Sequence, residues 1–327
     1  MRTLVPAETL VYLETNDLAA ALQPVVGSKA FPDADLVAFK GVQVAVVVTA
    51  FEASEQKVSD EQSAAEIKPK VVAVADTHAW HFQAVKFAEQ RLGAFVAKVY
   101  GSEPTLEEPE RNGGRDMTWT AKDGRKAYAF VTGGVIYFGN DHDLIDKCLA
   151  VRKGDLASLA QAGKVQQTPA DALASGYVST DGVAQVADIL GLQISSAASD
   201  DAQVRSALAS SLPQIIREMV SEAAWVTRAK GSSVEETFQF VMPGNLADAI
   251  QGSEPADLEA RLCNAMIALL PREQIDSSTR VGVASALAAR IAGTEDAQVR
   301  VLPNGIERKV ASGSGLLGWI AAQFGDL

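Results

Sequence analysis

Cysteine is scarce. The only two, Cys148 and Cys263, are too few for a disulfide scaffold and too far apart in sequence for a zinc knuckle. Each sits in an apolar helical context, Leu144-Ile145-Asp146-Lys147-Cys148-Leu149 and Leu262-Cys263-Asn264-Ala265-Met266, which reads as a buried, inert thiol. Basic residues are outnumbered, 29 Lys plus Arg against 41 Asp plus Glu, for a net charge of −12. The basic pairs Arg125-Lys126 and Arg308-Lys309 stand far apart, so no cationic face forms to displace counterions, and nucleic acid is not an expected partner. An acidic surface favours solubility or a cationic partner instead.

Long apolar runs are also missing. A membrane-spanning helix needs about 18 apolar residues, and the best stretch, Val42 to Phe51, is β-branched and of strand length, so no transmembrane span is expected. After Met1 there is no basic region followed by an apolar one. The chain runs straight into Thr3-Leu4-Val5-Pro6, a start that fits removal of a leader as well as a cytosolic protein. GxGxxG, the P-loop, the GxSxG elbow and CxxC are absent, and Gly313-Ser314-Gly315 fails the elbow spacing. No catalytic residue and no cofactor are expected.

What is present is the composition of a folded globular protein, 47% apolar and 21% charged, in 327 residues, enough for about two domains. Pro6, Ala7, Leu10, Tyr12 and Thr15 match Pro169, Ala170, Leu173, Tyr177 and Thr180 once two inserted residues are allowed. That match predicts an internal duplication, with repeats over 1–163 and 164–327. In the first repeat, strands are expected around Val11 to Glu14, Val42 to Phe51, Val71 to Ala75, Met117 to Thr120, Lys126 to Val131 and Val135 to Phe138. Asp123-Gly124 and Gly133-Gly134 supply the last two turns. Asn16 or Asp17 caps a helix through Leu18, Ala21, Leu22 and Val25, a long helix runs from Thr77 to about Val99, and another from Asp141 to Val151. The polar stretch from Glu52 to Pro69 reads as a mobile loop.

In the second repeat, helices are expected through Val183 to Leu190, near Asp201 to Val220 and over Pro255 to Leu269. Strands are expected at Ala223 to Ala229, Val234 to Met242, Val299 to Leu302 and Ile306 to Ala311, and a terminal helix at Leu316 to Phe324. Hairpin-linked strands argue for an α+β fold of two pseudo-repeated halves, each an antiparallel sheet with helices packed on one face.

The sharpest chemical feature is the three histidines. Asp76, His78 and His81 open the long helix, where an i, i+3 spacing puts both histidines on one face, and with His142 they are the candidate metal ligands. The plainer reading is a decorated helix N-terminus. Asp141-His142-Asp143 with Asp146 suggests a calcium loop only superficially, since Ile145 stands where an oxygen ligand is needed, and a helix cap explains it more simply. Glu103, Glu107, Glu108 and Glu110, broken by Pro104 and Pro109, read as a solvated loop, and Tyr12 and Tyr177 as half-buried strand residues.

Val5-Pro6-Ala7-Glu8-Thr9 before a strand, Gly139-Asn140 before a helix, Gly154 with Ser158-Leu159-Ala160, and the Tyr177-Val178 strand resemble a family of uncharacterised bacterial cell-envelope proteins, a domain of unknown function frequent in acidobacteria. The resemblance implies a globular part outside the cytoplasm, periplasmic or otherwise in the envelope, behind an N-terminal anchor or signal that this sequence lacks; the alternative is cytoplasmic. It transfers no catalytic residue. The expected function is a non-enzymatic interaction or scaffold domain of the envelope, with a protein partner or a membrane-associated assembly. The alternatives are a metal-binding protein or metal-dependent enzyme using Asp76, His78, His81 and His142, and a binder of an apolar ligand between sheet and helices.

Overall fold

The computed structural model describes residues 1–26, 36–59, 62–111, 113–198, 201–293, 297–316 and 318. The fold is α+β, and contacts divide it into two compact units. One is Met1–Gly176 with the described residues from Gly313 on, the other Tyr177–Ser312. None of the described helices is long and apolar enough to cross a membrane.

The first unit opens with β1 (Val11–Thr15), then α1 (Leu18–Leu22), where the Asp17 carboxylate accepts from the Ala20 amide. A 3₁₀ turn at Gln23–Val25 follows, admitting Pro24 near its start. β2 (Gln43–Ser59) and β3 (Gln62–Asp76) form a hairpin, and after α2 (His81–Phe87) and α3 (Gly93–Tyr100) come β4 (Thr105–Glu107), β5 (Glu110–Arg111) and β6 (Gly114–Thr120). The hairpin of β7 (Lys126–Thr132) and β8 (Val135–Gly139) leads to α4 (His142–Lys153). The antiparallel order is β1-β2-β3-β8-β7-β6-β4, with β5 also on β6.

Side chains alternate across a sheet, and this unit uses both faces. Ala84, Ala88 and Val96 of the α2–α3 segment pack with Met117, Trp119, Ala127, Ala129, Val131 and Ile136. Tyr128 has the opposite parity on β7 and meets His142 of α4, ring centroids 5.3 Å apart. Helices therefore flank both faces here, where one face was expected, because β7 from Ala127 to Val131 and β8 from Val135 to Phe138 are unbroken apolar runs and so demand cover on each side.

β9 (Ala172–Val178) carries the chain into the second unit, which contains α5 (Thr180–Ala198), α6 (Ala202–Met219), and the hairpin of β10 (Glu222–Lys230) and β11 (Ser233–Val241). Then come α7 (Gly244–Ile250), α8 (Pro255–Leu269), α9 (Ser277–Ala292) and the hairpin of β12 (Ala297–Leu302) and β13 (Gly305–Ser312). The strand order is β10-β11-β13-β12, which corresponds element by element to β2-β3-β8-β7 of the first unit. Leu208, Leu212, Ile215 and Met219 recur at helical spacing along α6 and join Leu258, Leu262 and Met266 of α8 and Ala284 and Ala288 of α9 in one core. Burying each large side chain there contributes roughly 1.5–3 kcal/mol.

Several expectations need correction. Glu52 to Pro69 is not a loop: β2 and β3 continue through it, paired from Glu52↔Lys68 to Ser59↔Gln62. A two-stranded ribbon is held by its cross-strand ladder, and this stretch, rich in Glu, Ser, Ala and Lys, carries no apolar face for hydropathy to mark. The long helix begins at His81 rather than Thr77 and contains a π-helical turn at Ala88–Leu92. The proline-broken acidic stretch supplies β4 and β5, paired to β6. α7 and α9 were not anticipated. Of the expected terminal helix, Leu317, Trp319, Ile320 and Phe324 lie outside the described residues.

Two glycines inside helices make a test of packing. A Cβ on Gly191 of α5 would lie 2.8 Å from the Pro213 ring of α6, whereas one on Gly282 of α9 would meet nothing within 4 Å. Replacing glycine by alanine in a helix contributes about 1 kcal/mol, and overpacking costs about 1–3 kcal/mol. Urea unfolding should therefore show Gly282→Ala stabilised by roughly 0.5–1 kcal/mol and Gly191→Ala destabilised. A stabilised Gly191→Ala would mean that α5 and α6 are packed more loosely than described.

Candidate functional site

Between β3 and α2 the chain makes a compact turn fixed by its own polar groups. Thr77 donates twice to the Gly134 carbonyl, from its amide at 3.0 Å and from Oγ1 at 2.7 Å. Thr77 Oγ1 in turn accepts from the Ala79 amide at 3.2 Å, and Asp76 Oδ1 accepts from the His78 amide at 3.1 Å. Gln83 reaches back from the first turn of α2, its Oε1 accepting from the Trp80 amide at 3.1 Å. His78 takes φ +52°, a conformation uncommon outside glycine, which turns the chain before the helix starts. Gly134 lets this happen, since a Cβ there would sit 2.7 Å from the Ala79 carbonyl oxygen.

This turn holds two large apolar side chains in water. Trp80 is 75% exposed and Phe82 is 68% exposed. Scattered exposed apolar residues are ordinary, but two aromatics within three residues, on a backbone held by these five hydrogen bonds, form an ordered apolar projection.

The four expected metal ligands do not assemble. His78 Nδ1 lies 3.3 Å from Asp76 Oδ1, while His81 Nδ1 is 3.3 Å from the Gly133 carbonyl oxygen. The i, i+3 argument required a helix at His78, and the chain there is a turn. His142 is on α4, over the opposite face of the sheet from α2, with Nε2 3.6 Å from Asp116 and Nδ1 3.5 Å from Asp146. Among the described residues no group of three or more His, Cys, Asp and Glu could hold a metal.

The surroundings of His142 were not legible in sequence. Arg111 reaches Asp146 at 2.5 Å and Asp116 at 3.5 Å, and its guanidinium lies 5.1 Å from the Phe130 ring centre. This network joins β5, β6 and α4. Asp141, as the cap reading has it, accepts from the Leu144 amide at 2.8 Å. Glu108 pairs with Arg115.

Tyr12 is buried, and desolvation, reinforced by the Glu14 carboxylate, pushes its hydroxyl well above the ordinary tyrosine range. Burial and then Glu222 do the same to Tyr177. Glu14, itself buried, accepts from Thr168 Oγ1 at 2.8 Å, and Thr168 meets Ser175 at 2.6 Å. Glu14 also accepts from the Met1 ammonium at 3.0 Å, so its carboxylate is engaged within the fold.

No family model matches this chain, and no curated protein matches it. Among solved structures, crystal form III of TP0453 is 9% identical over 98% of this chain and 97% of that one, with a TM-score of 0.44. Form I is 9% identical over 98% and 96%, with a TM-score of 0.41, and form IV 8% identical over 98% and 95%, with a TM-score of 0.42. Likeness at this level carries no argument about what the chain does.

The thiols give a direct check on the buried side of α4. Burial, then the charge of Glu8, pushes Cys148 up to about 12, and burial, then Glu259, raises Cys263. Mass spectrometry after alkylation at neutral pH should find Cys148 unmodified until the protein is unfolded, with the half-buried Cys263 modified first. Fast modification of native Cys148 would contradict the packing of α4 against the sheet.

Proposed function

We propose that the chain is a non-enzymatic interaction module of the bacterial cell envelope, and that Trp80 and Phe82 are its anchor residues for a protein partner. The observation that carries this reading is the exposure of both rings on a turn whose backbone is already fixed. Aromatic anchors dominate binding energy at protein interfaces because they exclude water from a large area at low entropic cost. A turn held before binding loses little freedom on association, so more of the burial energy appears as affinity. Placement in the envelope rests on the family resemblance of the Val5-Pro6-Ala7-Glu8-Thr9, Gly139-Asn140 and Tyr177-Val178 segments. The net charge of −12 adds that the rim of the partner's surface is neutral or basic.

The test is quantitative affinity capture from detergent-solubilised bacterial envelope, wild type against a Trp80→Ser/Phe82→Ser double variant. Both side chains are exposed, so the variant should keep the wild-type melting temperature. Loss of two interface anchors costs about 2 kcal/mol or more, so any specifically retained protein should fall at least about tenfold in yield. Equal capture by a folded double variant would remove Trp80 and Phe82 from the interface.

A further inference from the structure

The second unit carries a groove that the proposed interaction module does not use. It has a volume of about 340 Å³ and is lined by Ile194 of α5 and by Thr279, Gly282, Val283, Ala286, Leu287 and Arg290 of α9. Those α9 positions recur every three to four residues and form one face of the helix. From Thr279 to Arg290 the face runs about 17 Å at the helical rise. The opposite face of α9, with Ala284, Ala288 and Ala292, is already buried in the core. Val283 belongs to that core as well, and Leu287 and Ile194 pack against it, so the floor of the groove is the outer layer of the core, and Gly282, Ala286 and Arg290 are its exposed positions.

Two features say what would cover that floor. The first is Gly282. A mid-helix glycine is less favourable than alanine, and here no neighbour lies within 4 Å of where a Cβ would be, so internal packing does not demand it. What its missing side chain does is deepen the floor of the groove, together with the small Ala286. The second is charge at the two ends. Near Thr279, Asp276 is held ionised, its carboxyl lowered by hydrogen bonds from Ser278 and Thr279. At the other end, Arg290 has no ion pair among the described residues, its carbonyl alone being engaged, by Arg308. A narrow apolar trough with a carboxylate beside one end and, at the other, a guanidinium with no ion pair among the described residues is complementary to a chain with an anionic head.

We infer that the α5–α9 groove binds a single-chain anionic amphiphile of the free fatty acid class, its carboxylate on Arg290 and its alkyl chain along Gly282, Val283, Ala286 and Leu287 towards Thr279. The hydrocarbon gives the affinity and the guanidinium fixes direction, as in ligand sites that are mostly apolar with a few placed polar groups.

Isothermal titration calorimetry on the full chain tests this with three probes of equal length below their micellar concentrations: dodecanoate, dodecanol and dodecyltrimethylammonium. Dodecanoate should bind saturably at one site and at least about tenfold more tightly than the cationic probe, with dodecanol between them. Arg290→Glu should remove that preference. Gly282→Leu should abolish binding of all three by filling the groove, without lowering the melting temperature. No saturable dodecanoate binding, equal binding of the two charged probes, or binding indifferent to Gly282→Leu would each overturn the inference. So would a dimer in light scattering that Gly282→Leu dissociates, since a second copy would then be the occupant. None of these outcomes involves Trp80 or Phe82, so the inference fails separately from the interaction role.

Discussion

The first unit depends on one close approach, the Ala79 backbone against Gly134 in the β7–β8 turn. β3 pairs with β8 from Val72↔Gly139 to Asp76↔Val135, which brings the end of β3 to the Gly133-Gly134 turn. Thr77 then adds two bonds to Gly134 beyond the ladder, and the chain can press in only because residue 134 has no side chain. The reversal at His78 and the start of α2 at His81 follow from that contact. With the backbone held in this way, Trp80 and Phe82 face solvent rather than the core, although the α2–α3 segment buries Ala84, Ala88 and Val96 only a few residues later.

The two units display different surfaces. In both, the later strand of a second hairpin lies beside the first hairpin, but the first unit adds β4, β5 and β6 before that hairpin and α4 after it, and the second has two helices, α5 and α6, before its first hairpin. In the first unit the helical segment is one interrupted helix, with Trp80 and Phe82 exposed at its start. In the second it is α7, α8 and α9, and α9 lines a groove whose floor is the outer layer of the core. Both features are apolar and displayed in water by a chain of net charge −12, whose repulsion opposes indiscriminate self-association.

Most of the elements were legible because local chemistry and tertiary need agree. Asp123-Gly124 and Gly133-Gly134 mark turns that form, and Asp17 and Asp141 cap the helices expected of them. The ribbon over residues 52–69 was missed because a ladder paired to itself carries no period-two apolar signal. α9 was missed for a related reason: Val281, Gly282, Val283, Ala284, Ala286, Leu287 and Ala288 leave no polar face, so no amphipathic stripe marks it. The candidate site was only half visible. Asp76, His78 and His81 pointed to the right segment, but the chemistry assigned to it assumed helical spacing through a residue with φ +52°. The partners of His142 come from β5, β6 and α4, a convergence no local pattern records.

The central claim is that the turn from Asp76 to Gln83 is rigid before any partner arrives, and amide hydrogen exchange read by NMR measures that most directly. The amides of Thr77, Ala79 and Trp80 should be protected to a degree comparable with the paired amides of β3 and β8. Exchange of these three at the rate of an unstructured chain, with β3 and β8 still protected, would contradict the account, because the aromatic projection would then have no fixed form to recognise.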